Sequence, residues 1–191
     1  MLLLAASLLG VLPAYCTTLT VSPATTDTTL GQLVSLDIDV ADISDLYAWQ
    51  FDVDFDPSVL SVVGISEGAF LASGGATFFV PGTIDNSDGS VGFNADTLIG
   101  PLFGVDGSGT LATVEFDTIE AADSAVTLNN IILLDSNFNN INFTSTNGSI
   151  NVSVTAAVPE PNSVALILAG ACCCGLILRL RWLLLPVRNS A

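Results

Sequence analysis

The sequence of 191 residues predicts an all-β domain, a sandwich of two sheets, followed by one C-terminal transmembrane helix. Three observations support this prediction. Apolar and polar residues alternate in many short segments between residues 17 and 156, as in strands with one buried and one solvated face. Clusters of Gly, Pro, Asn and Asp separate these segments, and no strong helical period occurs among them. Beyond residue 162, an uncharged and mostly apolar run follows.

Residues 1–16 have the features of a secretory signal peptide. An apolar run of Leu and Ala leads into Ala14-Tyr15-Cys16, which has the small-x-small pattern of a cleavage site. The basic residues that usually precede such a run are missing. A lipid-modified Cys16 is the alternative, although bulky Tyr15 stands where lipoprotein signals have a small residue. We therefore expect the domain, residues 17–156, to be secreted across the inner membrane.

The central segment contains nine or ten short candidate strands and no internal repeat, so we expect a single domain. Residues 32–40 show the pattern most simply, because Val34, Leu36 and Ile38 alternate with polar side chains. Such segments pack as two sheets with their apolar faces together. The other segments that alternate in this way are residues 49–56, 109–117 and 149–155, with shorter candidates at 19–21, 60–65, 77–80, 90–95, 125–128 and 131–134.

The C-terminal residues, 157–191, have three parts. In order they are the motif Pro159-Glu160-Pro161, an apolar span over about residues 163–178, and the pair Arg179 and Arg181. The span would form a helix of roughly 24 Å, which approaches the ~30 Å of a bilayer core when the flanking arginines snorkel. Because the arginines follow the span, they should lie in the cytoplasm and the domain outside.

This tail resembles the PEP-CTERM sorting signal, in which a Pro-Glu-Pro motif, a short span and an Arg cluster occur in this order. The resemblance implies recognition by an exosortase and cleavage near Pro159-Glu160-Pro161. It also implies export to the cell envelope or extracellular matrix of a Gram-negative bacterium that makes exopolysaccharide. The extension Trp182–Ala191 departs from the pattern, since such tails end soon after the arginines. A plain C-terminal membrane anchor is the alternative.

Two segments of the domain resemble cohesin domains. In residues 47–63, a strand of alternating aromatic and acidic residues runs into Asp56-Pro57-Ser58-Val59-Leu60, which matches an Asp-Pro-x-Val-Leu turn. Residues 109–116 resemble the segment that follows the Gly-rich loop. The resemblance covers residues 18–154. It implies a nine-stranded jelly-roll sandwich and a dockerin-type partner, although cohesin-like domains with this kind of tail are more similar to envelope or matrix proteins.

The charge of the chain restricts its partners. It has nineteen acidic residues, three Arg and neither Lys nor His, which gives a net charge of −16. The cations are Arg179, Arg181 and Arg188, so the domain itself contains none. Such a surface repels nucleic acid and anionic lipid, and it attracts divalent cations or a basic protein.

The residue inventory argues against an enzyme. Without His, Lys or a Cys in the domain, Ser-His, Schiff-base, thiolate and ordinary zinc chemistry are excluded. A carboxylate pair of the glycosidase kind remains as an alternative. However, Asp52, Asp54 and Asp56 alternate along one strand, which is the pattern of a solvated face. We therefore predict no catalytic residues.

Calcium is the one cofactor that the sequence keeps open. The loop Asp85-Asn86-Ser87-Asp88-Gly89 places several oxygen atoms close together, which makes Asp85 and Asp88 weak candidate ligands. It lacks the spacing and the closing Glu of an EF-hand, and a hairpin turn explains it equally well. We therefore assign no cofactor, with calcium at this loop as the alternative.

Exposed aromatic side chains would be needed to bind a polysaccharide. Most aromatic residues occupy inward positions of the predicted strands. Phe78 and Phe79 are adjacent, so one of the two rings should point outward, and Tyr47 is a second candidate.

Taken together, these features predict a non-catalytic extracellular module that binds polysaccharide or protein. One alternative is a dockerin-binding scaffold component linked to polysaccharide catabolism. Another is a structural surface protein that ions stabilise.

Ions should raise the stability of the domain, because its carboxylates repel one another and no cation of its own offsets them. We expect its melting temperature to rise with added salt or millimolar calcium, through screening or specific binding. Differential scanning calorimetry at low salt, high salt and millimolar calcium measures this effect. An unchanged melting temperature across the series would remove the idea of ion stabilisation.

Overall fold

Strands make up most of the residues that the computed structural model describes, which are residues 16–155. Within this range there are eleven strands and one four-residue helix. In chain order they are β1 (Thr17–Ser22), β2 (Thr25–Thr29), β3 (Leu33–Leu46), β4 (Ala48–Asp54), β5 (Leu60–Glu67), α1 (Ala69–Ala72), β6 (Thr83–Asp85), β7 (Ser90–Thr97), β8 (Val105–Thr118), β9 (Asp123–Leu134), β10 (Phe143–Thr146) and β11 (Gly148–Ser153).

The predicted targeting segments lie outside the described residues. This applies to the signal peptide up to residue 15, to the motif Pro159-Glu160-Pro161, to the span 163–178 and to Arg179 and Arg181. Between residues 16 and 155, no helix is long and apolar enough to cross a membrane.

The strands form two mixed sheets, which confirms the predicted sandwich. The first sheet has the order β10-β1-β3-β8-β5, and the second has the order β2-β11-β9-β4-β7-β6. Two pairs at the sheet edges, β1 with β10 and β2 with β11, are parallel. The other pairs are antiparallel.

The predicted number of nine strands is wrong for the described residues. The strands β2, β6 and β10 have no buried side chains, so apolar alternation does not mark them. The segments at 125–128 and 131–134 are one strand, β9, with an irregular register between its halves. Residues 77–80 do not form a full strand. Val80 makes an isolated bridge to Ala95 of β7, and Thr77 makes one to Leu98, directly after β7.

The core lies between the inward faces of the two sheets. In β3 the predicted alternation holds, because Leu36 and Ile38 are completely buried and Asp37 between them is not. In β4 the rings of Trp49 and Phe51 stack with centroids 4.8 Å apart. Burying each such side chain contributes about 1.5–3 kcal/mol to the stability of the fold.

The Asp-Pro turn after β4 has the predicted geometry. The Asp56 carboxylate accepts hydrogen bonds from the backbone N–H of Ser58 at 2.9 Å and from its hydroxyl at 2.6 Å. These bonds lower the pKa of Asp56. Val59 and Leu60 then return the chain to the core, where both are buried.

Candidate functional site

The outer face of the second sheet carries a cluster of apolar side chains, which we call the apolar patch. It consists of Phe78, Val80, Phe93, Ala95, Ile132 and Leu134, and it borders a shallow hollow of about 330 Å³. The exposed fraction is 62% for Phe78, 58% for Phe93 and 40% for Ile132. Solvated faces of soluble domains rarely cluster large apolar side chains in this way, which makes the patch the candidate binding site.

A bulge in β7 places Phe93 on this face. Val53 pairs with Val91 and Phe51 pairs with Asn94, so β7 has one residue more than β4 between these two pairs. Phe93 takes up the difference with a φ of 59° and points outward. A regular strand would have placed it beside Val91 on the buried side.

A second bulge, in β9, has the same effect on Ile132. Gln50 pairs with Ile132 and Asp52 with Asn129, so β9 also has an extra residue. Asn130 takes up that residue with a φ of 49°. Beyond the bulge Leu133 is buried and Ile132 is exposed, so the apolar alternation has changed its phase.

Asp52 of β4 binds both bulges. Its Oδ1 accepts a hydrogen bond from the backbone N–H of Phe93 at 2.6 Å, and its Oδ2 accepts one from the side-chain amide of Asn130. The sequence placed Asp52 on a solvated face, and the structure confirms the outward direction. It adds that this carboxylate holds the two irregular segments that form the patch.

One wall of the patch is a segment beside β7, residues 76–80, which we call the strap. The backbone N–H of Phe78 donates to the Thr97 carbonyl at 2.8 Å, and the N–H of Val80 donates to the Ala95 carbonyl at 2.7 Å. Phe79 lies toward the core, with its ring centroid 6.2 Å from that of Trp49. The prediction that one ring of the pair points outward is confirmed.

Tyr47 is not part of an exposed aromatic surface, and that expectation was wrong. It is only 9% exposed, its hydroxyl donates to the Gly100 carbonyl at 2.7 Å, and its ring packs edge-on against Phe138. These contacts join the loops that follow β7 and β9, so Tyr47 has a structural role.

A buried acid, Asp96, lies beneath the patch. It is 2% exposed, its Oδ1 accepts the backbone N–H of Thr97 at 2.8 Å, and its Oδ2 has no partner. Burial and, secondarily, the neighbouring Glu67 raise the pKa of Asp96 to about 7. Sequence alternation missed this group because only the β7 bulge turns it inward.

Asp85 and Asp88 lie in the turn between β6 and β7. The Asp85 carboxylate accepts the backbone N–H of Ser87 at 2.9 Å and of Asp88 at 3.1 Å, which closes the turn. Gly89 completes it with a φ of 73°, where a side chain would collide with the Phe55 carbonyl. Over residues 16–155 no cluster of three or more metal-ligating side chains occurs, and calcium at this turn stays a prediction.

Asp45 near the end of β3 and Asp106 of β8 also serve the fold. Asp45 accepts hydrogen bonds from the Ser136 hydroxyl at 2.7 Å and from the Gly104 N–H at 2.7 Å. These two bonds lower the pKa of Asp45. Its neighbour Asp106 accepts the backbone N–H of Asp45 at 2.7 Å. Both carboxylates therefore hold loops together.

The two-sheet sandwich agrees with the result of a comparison with known protein families. The family model of the cohesin domain matches residues 19–152. The chain belongs to the cohesin family. None of the curated proteins compared with it matches.

Several solved cohesin structures share the fold of this cohesin domain. The non-cellulosomal cohesin of Archaeoglobus fulgidus has 15% identity and a TM-score of 0.56, with 72% of this chain and 91% of that chain covered. The third cohesin of ScaC from Acetivibrio cellulolyticus has 20% identity and a TM-score of 0.59, with 72% and 99% covered. CaCohA2 of Clostridium acetobutylicum has 21% identity and a TM-score of 0.57, with 72% and 91% covered. In these three structures the solved chain consists almost entirely of this sandwich.

Replacing Asp52 should loosen both bulges. In Asp52→Ala the Phe93 N–H and the Asn130 amide lose their acceptor, so we expect the free energy of unfolding to fall by about 1–3 kcal/mol. Asp54→Ala is the matched control, because Asp54 lies on the same face of β4 and accepts a single hydrogen bond, from Asn129 at 2.6 Å. Urea denaturation of residues 16–155 measures both variants. Equal losses in the two variants would contradict the assigned role of Asp52.

Proposed function

We propose that this cohesin domain is a non-catalytic module that binds a dockerin-like protein through the apolar patch. The observation that carries the proposal is the exposed cluster of Phe78, Phe93 and Ile132 on an otherwise polar sheet face. Apolar clusters of this kind, surrounded by polar side chains, characterise protein interaction sites.

Similar structures support a protein partner. The ScaC cohesin of Acetivibrio cellulolyticus was solved in complex with the ScaB dockerin, and the OlpA cohesin of Clostridium thermocellum in complex with the dockerin Doc918. These chains share 20% and 11% identity with this one, so they support the class of partner and leave its identity open.

The charge around the patch indicates which partner fits. Asp52 and Asp54 lie on the same outer face of β4, and residues 16–155 contain neither Lys, Arg nor His. A complementary partner therefore presents apolar side chains surrounded by Lys or Arg. Such complementarity speeds association and weakens with added salt.

The absence of an enzymatic role is part of the proposal. The two carboxylates on the outer face of β4 already have structural partners, since Asp52 binds the bulges and Asp54 binds Asn129. Both therefore hold strands in register and are not free to act as an acid and a base.

Polysaccharide binding is the second candidate. The observation that favours it is the pair of exposed rings, Phe78 and Phe93, beside the hollow, since sugars stack on aromatic faces. The two candidates share one surface, and a direct comparison of ligands distinguishes them.

Truncating the patch should weaken binding. We expect Phe93→Ala and Ile132→Ala each to raise the Kd for a dockerin module at least about ten-fold, because exposed anchors at the centre of an interface carry most of its energy. Phe103→Ala is the control, since Phe103 is 89% exposed but lies in the loop after β7, outside the patch. Isothermal titration calorimetry of residues 16–155 against the dockerin modules of the source organism measures all four proteins.

Three results would change the assignment. Loss of binding in Phe103→Ala but not in the patch variants would move the site to that loop. Binding of the organism's exopolysaccharide that the patch variants abolish would replace the protein partner by a sugar. Failure of every dockerin module to bind would contradict the dockerin-like partner.

We also propose that the tail delivers the domain to the cell surface. The sequence Pro159-Glu160-Pro161, an apolar span and Arg179 with Arg181 support recognition by an exosortase and anchoring until cleavage. We expect mass spectrometry of the exported protein to find its C-terminus near Pro161, and Glu160→Ala to leave the span attached. An exported wild-type protein that still contains Arg181 would contradict this processing.

A further inference from the structure

Side chains from three separate segments of the chain, one of them the strap, lie close together. Asp96 comes from β7 in the second sheet, Glu67 from the end of β5 in the first sheet, and Thr77 from the strap itself. The Thr77 hydroxyl donates a hydrogen bond to Glu67 Oε1 at 2.6 Å. Glu67 also raises the pKa of the Asp96 carboxyl through its negative charge. Glu67 therefore lies between the strap and the buried acid.

The surroundings of Asp96 favour its neutral form. Its side chain is 2% exposed and its Oδ2 has no partner. On the neighbouring strand β4, Asp96 pairs with Trp49, whose indole is uncharged. The strap and α1 contain no titratable residue, and residues 16–155 contain no Lys, Arg or His. Glu67 is the titratable group that raises the pKa of Asp96, and both residues are acids.

The titration of Asp96 changes the stability of the folded arrangement in one direction as the pH rises. Burial and Glu67 raise its pKa to about 7 in the folded protein, from its ordinary value of 3.8. The folded state therefore binds this proton more tightly than the unfolded state. Between these two values, the folded arrangement loses stability as the pH rises, and the loss is complete above the folded pKa.

We propose that Asp96, Glu67 and Thr77 form a proton-dependent latch for the strap. When Asp96 is protonated, it donates to Glu67, which in turn accepts the Thr77 hydroxyl. The strap is then held against β7. When Asp96 loses its proton, two carboxylates face each other in a place without a cation, and the strap separates from β7.

The latch regulates the apolar patch, and this step rests on the proposed function. Phe78 and Val80 of the strap form one wall of the hollow. Separation of the strap breaks the backbone hydrogen bonds from Phe78 to Thr97 and from Val80 to Ala95. The wall is then lost, so the affinity for the partner falls as the pH rises above neutrality.

Amide hydrogen exchange tests the latch directly. The probes are the N–H groups of Phe78 and Val80 in residues 16–155, with the buried strand β3 as reference. We expect their protection factors, corrected for intrinsic exchange, to fall about ten-fold or more between pH 6 and pH 8.5. Unchanged protection of both amides would overturn the latch, whether or not a partner is known.

Two variants remove the repulsion between the two carboxylates and keep the hydrogen bonds. In Asp96→Asn the amide donates to Glu67 at any pH, and in Glu67→Gln the new amide donates to Asp96 while its oxygen accepts Thr77. Both should retain protection at pH 8.5. Glu67 is exposed, so Glu67→Gln stays informative if Asp96→Asn fails to fold. Asp88→Asn, in an exposed turn, is the control and should keep the wild-type pH dependence. A wild-type pH dependence in either latch variant would overturn the proposal.

Calorimetry with a bound dockerin module separates the latch from the proposed function. A Kd that rises with pH in the wild type and not in Asp96→Asn supports both. If strap protection follows pH while the Kd does not, the latch stands and the strap is not part of the docking surface.

Discussion

The Asp52 carboxylate is the contact on which the candidate binding face of this cohesin domain depends. It lies in the middle of the second sheet and binds one bulge in β7 and another in β9. In a strand, a shift of one residue moves every later side chain to the opposite face. These bulges therefore decide what faces solvent, namely Phe93 and Ile132, and what faces the core.

The shift of alternation at the β7 bulge also explains why polar side chains are buried next to the patch. Asn94 and Asp96 are buried because the β7 bulge turns them inward. Asn94 Oδ1, Asp96 Oδ2 and Trp49 Nε1 have no hydrogen-bond partner, and a buried unpaired group costs about 1–3 kcal/mol. Strands β3 and β8 also contain bulges but carry no such group. The cost is concentrated beneath the candidate binding site, where proteins commonly store strain.

Neutral donors replace cations throughout the domain. The Thr113 hydroxyl donates to Asp37 at 2.6 Å, and the Thr110 hydroxyl donates to Asp39 at 2.7 Å. On the other sheet, the amide of Asn151 donates to Asp27 at 2.8 Å. Hydroxyl and amide groups satisfy these carboxylates without neutralising them. The negative charge of these carboxylates therefore remains available to attract a basic partner or ions.

The sequence by itself determined the sandwich, the family and the regular core. Strict alternation identified the buried positions of β3, such as Leu36, and the turn at Asp56 followed from local chemistry that involves its nearest neighbours. The tertiary structure decided the bulges, the exposure of Ile132 and the burial of Asp96. The residues Phe93 and Asn130 form the bulges, and the alternation of apolar and polar residues did not mark them. Their hydrogen-bond acceptor lies 41 and 78 residues away in sequence, and only the folded sheet brings it to them.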